Sequence, residues 1–298
     1  MNWKHYIKLQ IVHHQNINLL ADKQWTGFRF SQSTIDLIKQ INKNKLSPDE
    51  ETRLLQFAVE AALSSFYKVN QYYAFDKKAI DSLLGIYRVL VMEIKEKDYA
   101  FIDFDELADV HYSRLQNWLI QNYPQAVLIY PADKAAIHPV ACAEYNAITQ
   151  LAALGINEQN LKEPILDIGC GKEHRLVTYL KTKGYEAWGI DREAEPNSNI
   201  LKKSWFEYEY GNLRWGTIIS HLSFTNHFRH HHLKSSGDHV RYAKTFIAIL
   251  KSLQVGGKFH YAPDLPFIEL FLDDSQYQIT KLEIEQTNFY ASSIERIY

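Results

Sequence analysis

The sequence predicts an α/β protein in which a helical N-terminal part precedes a mainly parallel sheet. Three patterns support this fold class. Residues 1–125 carry helical apolar periodicity, strand-like and helix-like segments alternate from Ile165 onward, and two strand candidates follow Tyr277 with no room for a helix between them. Such alternation is typical of a parallel sheet with crossover helices, and the last two strands should form an antiparallel hairpin.

The helical part has its best-defined element at Ser47, a candidate N-cap followed by Pro48 and by Glu50 at the capping-box position. The apolar stripe of this helix is Leu54, Leu55, Ala58, Ala62 and Phe66. Two more helices are predicted over 77–96 and 104–122. The segment QNYPQAVLIYPAD brings two prolines and a short apolar run. We therefore place a domain boundary near residue 125, between a helical domain, 1–125, and an α/β domain, 126–298.

The α/β part is expected to begin with a helix over 138–154. The predicted parallel strands are 165–168, 187–191, 217–221 and 258–262, the predicted helices are 173–183 and 240–253, and the predicted hairpin strands are 277–286 and 292–298. A glycine turn over 255–257 is expected to lead into the last parallel strand.

Composition excludes several classes of protein. A chain of 298 residues with 46% hydrophobic and 23% charged residues is typical of a globular protein, and its longest apolar run, from Leu83, is interrupted by Arg88 and Glu93. The N-terminal residues lack a secretory pattern, so we expect a cytoplasmic protein with no membrane partner. Two cysteines without C-x-x-C spacing do not favour a cysteine zinc site, and a net charge of -2 does not favour a nucleic-acid partner.

The segment ILDIGCGKEH, residues 165–174, predicts a strand that runs into a glycine turn and then a helix. Such a turn leaves bare backbone N–H groups where a ligand can lie. His174 stands where a dinucleotide fingerprint has its third glycine, and no G-x-x-x-x-G-K-[ST] spacing surrounds the loop. Neither a dinucleotide fingerprint nor a P-loop is therefore favoured.

The loop resembles the first motif of the class I S-adenosylmethionine-dependent methyltransferases. The family's acidic residue and G-x-G turn correspond to Asp167, Gly169 and Gly171, and an acid closing the second strand corresponds to Asp191. The resemblance covers about residues 130–298, including WGTIISHLSF, AKTFIAILKSLQVGGKFHYAPD and the final hairpin. It implies a Rossmann-like seven-stranded methyltransferase sheet with a terminal antiparallel hairpin, beside an α-helical N-terminal domain.

The resemblance also implies S-adenosyl-L-methionine as the cofactor. Asp167 would hold the methionine amino group, Gly169 and Gly171 would allow close approach, and Asp191 would bind the ribose. Further cofactor contacts are expected from Ser204, Trp205 and Ser220.

A cluster of histidines follows the predicted fourth strand. His221 should face the transferring methyl group, because ligands of open α/β sheets lie beyond the carboxyl ends of the strands. His221 is the first candidate for a catalytic base and His227 the second, with packing or loop capping as the alternative for both. No metal ion is expected. A zinc, nickel or copper site remains the alternative at His230–His232, which we otherwise expect in an exposed loop.

Substrate-binding candidates lie on two other segments. Tyr261 and Asp264, with Glu269, follow the fifth strand, while Tyr130 precedes the first strand together with His138 and Tyr145. A loop with solvated acids is the alternative for the former group.

The predicted function is methyl transfer to a small-molecule hydroxyl or amine. Members of the family it resembles that methylate nucleic-acid bases or protein glutamine carry an [N/D]-P-P-[F/Y] sequence after the fourth strand. This chain has SHLS there, so the resemblance does not favour those acceptors. The helical part should cover the acceptor, form a homodimer contact or act as a separate binding module. Two alternatives are an RNA-modifying methyltransferase and a non-catalytic binding protein. The latter is favoured by Glu173, where many relatives have glycine, and by Trp215 and Gly216, where an acid is common.

Overall fold

A computed structural model describes residues 3–11, 19, 28–44, 46–122, 145–234, 237–284 and 290–298. The chain forms two compact units, Met1–Val140 and Ala141–Tyr298, which we call the helical unit and the α/β unit. The predicted boundary near residue 125 lies outside the described residues and stays a prediction. No helix in the part of the chain that the structure describes has both the length and the apolar character needed to cross a membrane.

The helical unit packs long amphipathic helices around an apolar core. Its helices are α1 (Trp3–Leu9), α2 (Gln32–Asn44), α3 (Pro48–Val69), α4 (Lys77–Glu96) and α5 (Phe104–Asn122). The predicted capping box at the start of α3 is confirmed, since the Glu50 amide donates to Ser47 Oγ at 3.3 Å and the Ser47 amide donates to Glu50 Oε2 at 3.0 Å. Helices α4 and α5 have the predicted bounds.

The α/β unit is built on one sheet with the strand order β3-β2-β1-β4-β5-β7-β6. Its strands are β1 (Ile165–Ile168), β2 (Ala187–Asp191), β3 (Ile200–Lys202), β4 (Trp215–His221), β5 (Leu253–Ala262), β6 (Tyr277–Glu283) and β7 (Tyr290–Arg296). Strands β1 to β5 pair in parallel, and β7 runs antiparallel to both β5 and β6. The predicted seven-stranded sheet with a terminal antiparallel hairpin is confirmed.

The helices of this unit are α6 (Ala147–Ala153), α7 (Arg175–Thr182), α8 (Phe224–Leu233), α9 (His239–Lys251) and α10 (Pro266–Glu269). The helix predicted over 138–154 is described only from residue 145, and α6 begins after the N-cap Asn146. Because β1, β2 and β4 are parallel neighbours, their carboxyl ends meet at one edge of the sheet.

Two local predictions are wrong. The glycines predicted as a turn over 255–257 lie inside β5, where the register against β4 shifts between Trp215 and Thr217. Gly256 has a φ of 74°, so the strand accommodates the extra residues as a bulge. His230–His232, predicted as an exposed loop, belong to α8.

Candidate functional site

The loop between β1 and α7 requires glycine at two positions. Gly169 and Gly171 have φ angles of 77° and 72°, in the left-handed region that disfavours other residues. The Gly169 amide donates to the Ile190 carbonyl at 2.8 Å, and the Gly171 amide donates to Asp191 Oδ2 at 3.1 Å. The structure therefore brings the predicted glycine turn and the acid of β2 together.

The two glycines meet different surroundings. A Cβ at Gly169 would lie 2.4 Å from the Cβ of Ser223 and 3.6 Å from Trp205 Cζ3. A Cβ at Gly171 would meet no atom of the described residues within 4 Å. Gly169 thus permits close packing inside the protein, whereas Gly171 leaves space beside the loop.

Asp167 carries an unusual carboxyl group at the end of β1. The residue is 3% exposed, and burial, together with the negative charge of Asp191, raises its pKa from 3.8 to about 8. Among the described residues, no hydrogen bond or ion pair to this carboxyl offsets these two effects. A cation that reaches this carboxyl would therefore lower its pKa and stabilise its ionised form.

Asp191 has two backbone partners. Its Oδ2 accepts from the Gly171 amide at 3.1 Å and its Oδ1 accepts from the Glu193 amide at 2.7 Å. Each carboxylate oxygen can accept a second hydrogen bond, and the residue is only half-buried. Asp191 can therefore still accept hydroxyl donors from a ligand.

The side chain at position 173 does not fill the space beside the glycine loop. Glu173 is exposed, and α7 begins two residues later at Arg175. The sequence predicts a helix from residue 173, but His174 has a φ of 38° and so delays the helix.

Trp205 lies next to the glycine loop, in the segment after β3. Its half-buried ring packs edge-on against Phe224 at 5.8 Å and His227 at 4.9 Å. Ser204 accepts a hydrogen bond from the Phe206 amide at 3.3 Å, which shapes the local turn. The cofactor contacts of Ser204 and Trp205 stay predictions.

Ser220 and Ser223 support the loop from β4. The Ser223 hydroxyl donates to the Ile168 carbonyl at 2.6 Å, so its oxygen accepts from the Ser220 hydroxyl at 2.8 Å. Ser220 is fully buried and supports the loop through Ser223, and its cofactor contact stays a prediction. Ser223 was not among the predicted residues, since only the fold brings it against Gly169.

His221 ends β4 at the same sheet edge as Asp167 and Asp191. It is 8% exposed, and burial lowers its pKa from 6.5 to about 4. Tyr145 packs edge-on against its ring at 5.4 Å. The imidazole is neutral at neutral pH and able to accept a proton, but its catalytic role stays a prediction.

Two further histidines of the cluster, His227 and His231, are buried and packed. His227 is 4% exposed beneath Trp205, and burial is the main cause that lowers its pKa. His231 stacks on Tyr242 at 4.8 Å and accepts from the Asp238 amide at 3.2 Å. In the described parts of the chain, no three histidine, cysteine, aspartate or glutamate side chains gather as metal ligands.

Tyr261 and Asp264 belong to a buried polar network instead of an open pocket. The Tyr261 hydroxyl donates to Glu269 Oε1 at 2.5 Å, and Ser292 donates to the same oxygen at 3.0 Å. Lys281 Nζ lies 2.7 Å from Glu269 Oε2 and 2.8 Å from Asp264 Oδ2. These side chains anchor the final hairpin, and the substrate-binding roles of Tyr261 and Asp264 stay predictions.

Lys281 was missed because a single lysine on a strand gives no sequence signal. Two other predicted residues, Tyr130 and His138, lie outside the described residues.

Comparisons with known proteins find similarity only among solved structures. No family model matches the sequence, and no curated protein matches it. An rRNA methylase from Streptococcus thermophilus is 14% identical, with a TM-score of 0.36, over 52% of this chain and 99% of that one. The N-methyltransferase NodS from Bradyrhizobium japonicum WM9, in complex with S-adenosylhomocysteine, is 13% identical, with a TM-score of 0.38, over 56% of this chain and 94% of that one.

A methyltransferase from Bacteroides fragilis, also in complex with S-adenosylhomocysteine, is 13% identical, with a TM-score of 0.31, over 47% of this chain and 75% of that one. By its strand order and closing hairpin, the α/β unit has the fold of the class I methyltransferases. At these TM-scores the likeness assigns no acceptor and no residue role.

Proposed function

We propose that the α/β unit binds S-adenosyl-L-methionine and transfers its methyl group to a small-molecule hydroxyl or amine. The observation that carries this proposal is the Asp167 carboxyl, which is buried beside Asp191 without a hydrogen bond or ion pair among the described residues. A ligand cation that pairs with such a carboxyl offsets the free-energy cost of the buried charge, and this contributes to binding of the ligand.

The residues at the sheet edge suit this cofactor. The ammonium of its methionine part would pair with Asp167 and stabilise the ionised carboxylate, and its ribose hydroxyls would donate to Asp191. Gly171 leaves space beside the loop for a ligand, while Gly169 is already in contact with protein atoms. The cofactor supplies the methyl group as a sulfonium.

His221 is the residue that we propose for proton removal. Its neutral ring, at the end of β4, can accept a proton from a hydroxyl or ammonium acceptor at Nδ1 or Nε2. Tyr145 packs against this ring and helps to fix its orientation. We leave His227 out of the proposal because its ring is buried against Trp205.

Calorimetry with two ligands tests the binding proposal. Both ligands carry adenine and ribose, but only S-adenosylhomocysteine also carries the amino acid part. We expect Asp167→Asn to weaken S-adenosylhomocysteine by about ten-fold or more and to leave adenosine unchanged, since a charge-assisted contact contributes about 1.5–3 kcal/mol. Asp191→Asn should weaken both ligands. Absence of heat with both ligands on the wild-type protein would remove the proposal.

Transfer is tested with methyl-labelled S-adenosylmethionine and two acceptor pools, a panel of small phenols and amines and, separately, total RNA. We expect label in the small-molecule pool and its loss in His221→Gln, with S-adenosylhomocysteine binding retained. Label in RNA alone would establish the RNA-modifying alternative. Binding of S-adenosylhomocysteine without transfer to either pool would favour the non-catalytic alternative.

A further inference from the structure

The helical unit contains an apolar cavity that the proposed function does not use. The cavity has a volume of about 80 Å³. Helices α2, α3 and α4 provide hydrocarbon walls, including Ile38, Ile41, Leu54, Ala58 and Val91. All five side chains are at most 6% exposed, so they form a buried hydrocarbon wall.

Most polar groups at the cavity wall bond to one another. The Gln10 amide nitrogen donates to the Tyr112 hydroxyl at 2.6 Å, and Gln10 Oε1 accepts from Thr34 Oγ1 at 2.6 Å and from the Ser31 amide at 2.8 Å. This network occupies the amide of Gln10 and leaves the hydrocarbon surface to dominate the cavity.

His111 of α5, which also lines the cavity, is different. The residue is 3% exposed, and its Nδ1 finds no hydrogen-bond partner within the described residues. The rings of Tyr87 and Tyr112 lie 5.3 Å from its ring, and that of Phe30 lies 6.2 Å away. Burial lowers the pKa of His111 to about 3, so the ring is neutral and offers one donor and one acceptor nitrogen.

We propose that this cavity binds a small, mainly hydrocarbon molecule with a single hydroxyl-type polar group, and that His111 is the hydrogen-bonding partner of that group. An apolar cavity of this kind holds water poorly and accepts small hydrocarbons. A buried nitrogen without a partner adds a preference for a ligand that can supply one. The proposal is independent of methyl transfer, because every residue in it belongs to the helical unit.

The test uses the full chain and two probes of the same shape, p-cresol and toluene, titrated by calorimetry at pH 7. We expect both to bind the wild-type protein at one site. Ala58→Leu fills the cavity from α3 and should weaken both probes by ten-fold or more. His111→Phe keeps an apolar ring and should reduce the preference for p-cresol over toluene by about ten-fold. Val110→Leu, at an exposed position beside His111, should change neither affinity.

Three results would overturn the proposal: no binding of either probe to the wild-type protein, equal binding to wild type and Ala58→Leu, or an unchanged probe preference in His111→Phe. Circular dichroism without probe checks that each variant folds. If Ala58→Leu does not fold, Ile41→Phe tests the same point from α2.

Discussion

The buried carboxyl of Asp167 predicts that a substitution in the candidate site stabilises the protein. The change is Asp167→Asn, which keeps the shape of the side chain and removes its ionisation. The folded protein holds the Asp167 pKa at about 8, whereas the unfolded chain has the ordinary value of 3.8. Between these values the folded state binds more protons than the unfolded state, so the free energy of unfolding falls as the pH rises.

The magnitude follows from the two pKa values. Each pH unit between them is worth about 1.36 kcal/mol, so the wild-type protein should lose about 2.7 kcal/mol relative to Asp167→Asn between pH 5 and pH 7. The stabilising contribution of the protonated carboxyl is complete below pH 3.8 and is lost as the pH passes about 8. We therefore expect the two proteins to be equally stable below about pH 3.8, and the advantage of the variant to be larger at pH 7 than at pH 5 by about 2.7 kcal/mol.

The assay is urea unfolding of the full chain. Hydrogen exchange of the backbone amides in the peptide that contains β1 is the readout, so that the unfolding of the α/β unit is measured separately. Asp274→Asn, at an exposed position, is the control and should show no difference between pH 5 and pH 7. Asp191→Asn should reduce the pH dependence, because the charge of Asp191 helps to raise the Asp167 pKa. If Asp167→Asn changes stability by the same amount at both pH values, the buried-carboxyl reasoning is wrong.

Three further predictions concern neighbouring features. Gly169→Ala should lower the free energy of unfolding in urea by about 3 kcal/mol or more, and Gly171→Ala by only about 1–2 kcal/mol. Both variants strain the backbone, but only the Gly169 variant also clashes with Ser223. Equal losses in the two variants would contradict this difference. The His221 ring should titrate near pH 4 by NMR, and a midpoint near 6.5 would show that the ring is not buried as described. Lys281→Met should destabilise the α/β unit by about 2–3 kcal/mol in urea unfolding, since the buried Glu269 carboxylate loses its ion pair. Lys281→Arg keeps the positive charge and should lose less; equal losses in the two variants would be inconsistent with an ionic role.

The fold was predictable because its signals are local. Ser47 and Glu50 give the start of α3 from four consecutive positions, and the period of apolar residues separates strands from helices. The positions of Asp167, the glycine turn and Asp191 were predictable for the same reason, as each lies at or just after the carboxyl end of a strand.

The rest of the site depends on contacts between distant segments. Ser223 becomes important only when the turn after β4 packs on Gly169, and Lys281 becomes important only when the hairpin folds beside Glu269. The consecutive histidines concealed the helical pattern of α8, in which Phe224, Phe228 and His231 share the buried face. Local sequence contains none of this spatial information.

The position of β7 between β5 and β6 has a consequence during synthesis of the chain. Strand β7 is translated after β6 but lies between β5 and β6, so the hydrogen-bonding edge of β5 stays uncovered until about residue 296 is available. A nascent or prematurely terminated chain that stops before Tyr290 would present that bare edge together with the fully buried Phe259 and Tyr261 of the finished protein. Such products should aggregate or attract chaperones, even though the entire glycine loop has already been translated.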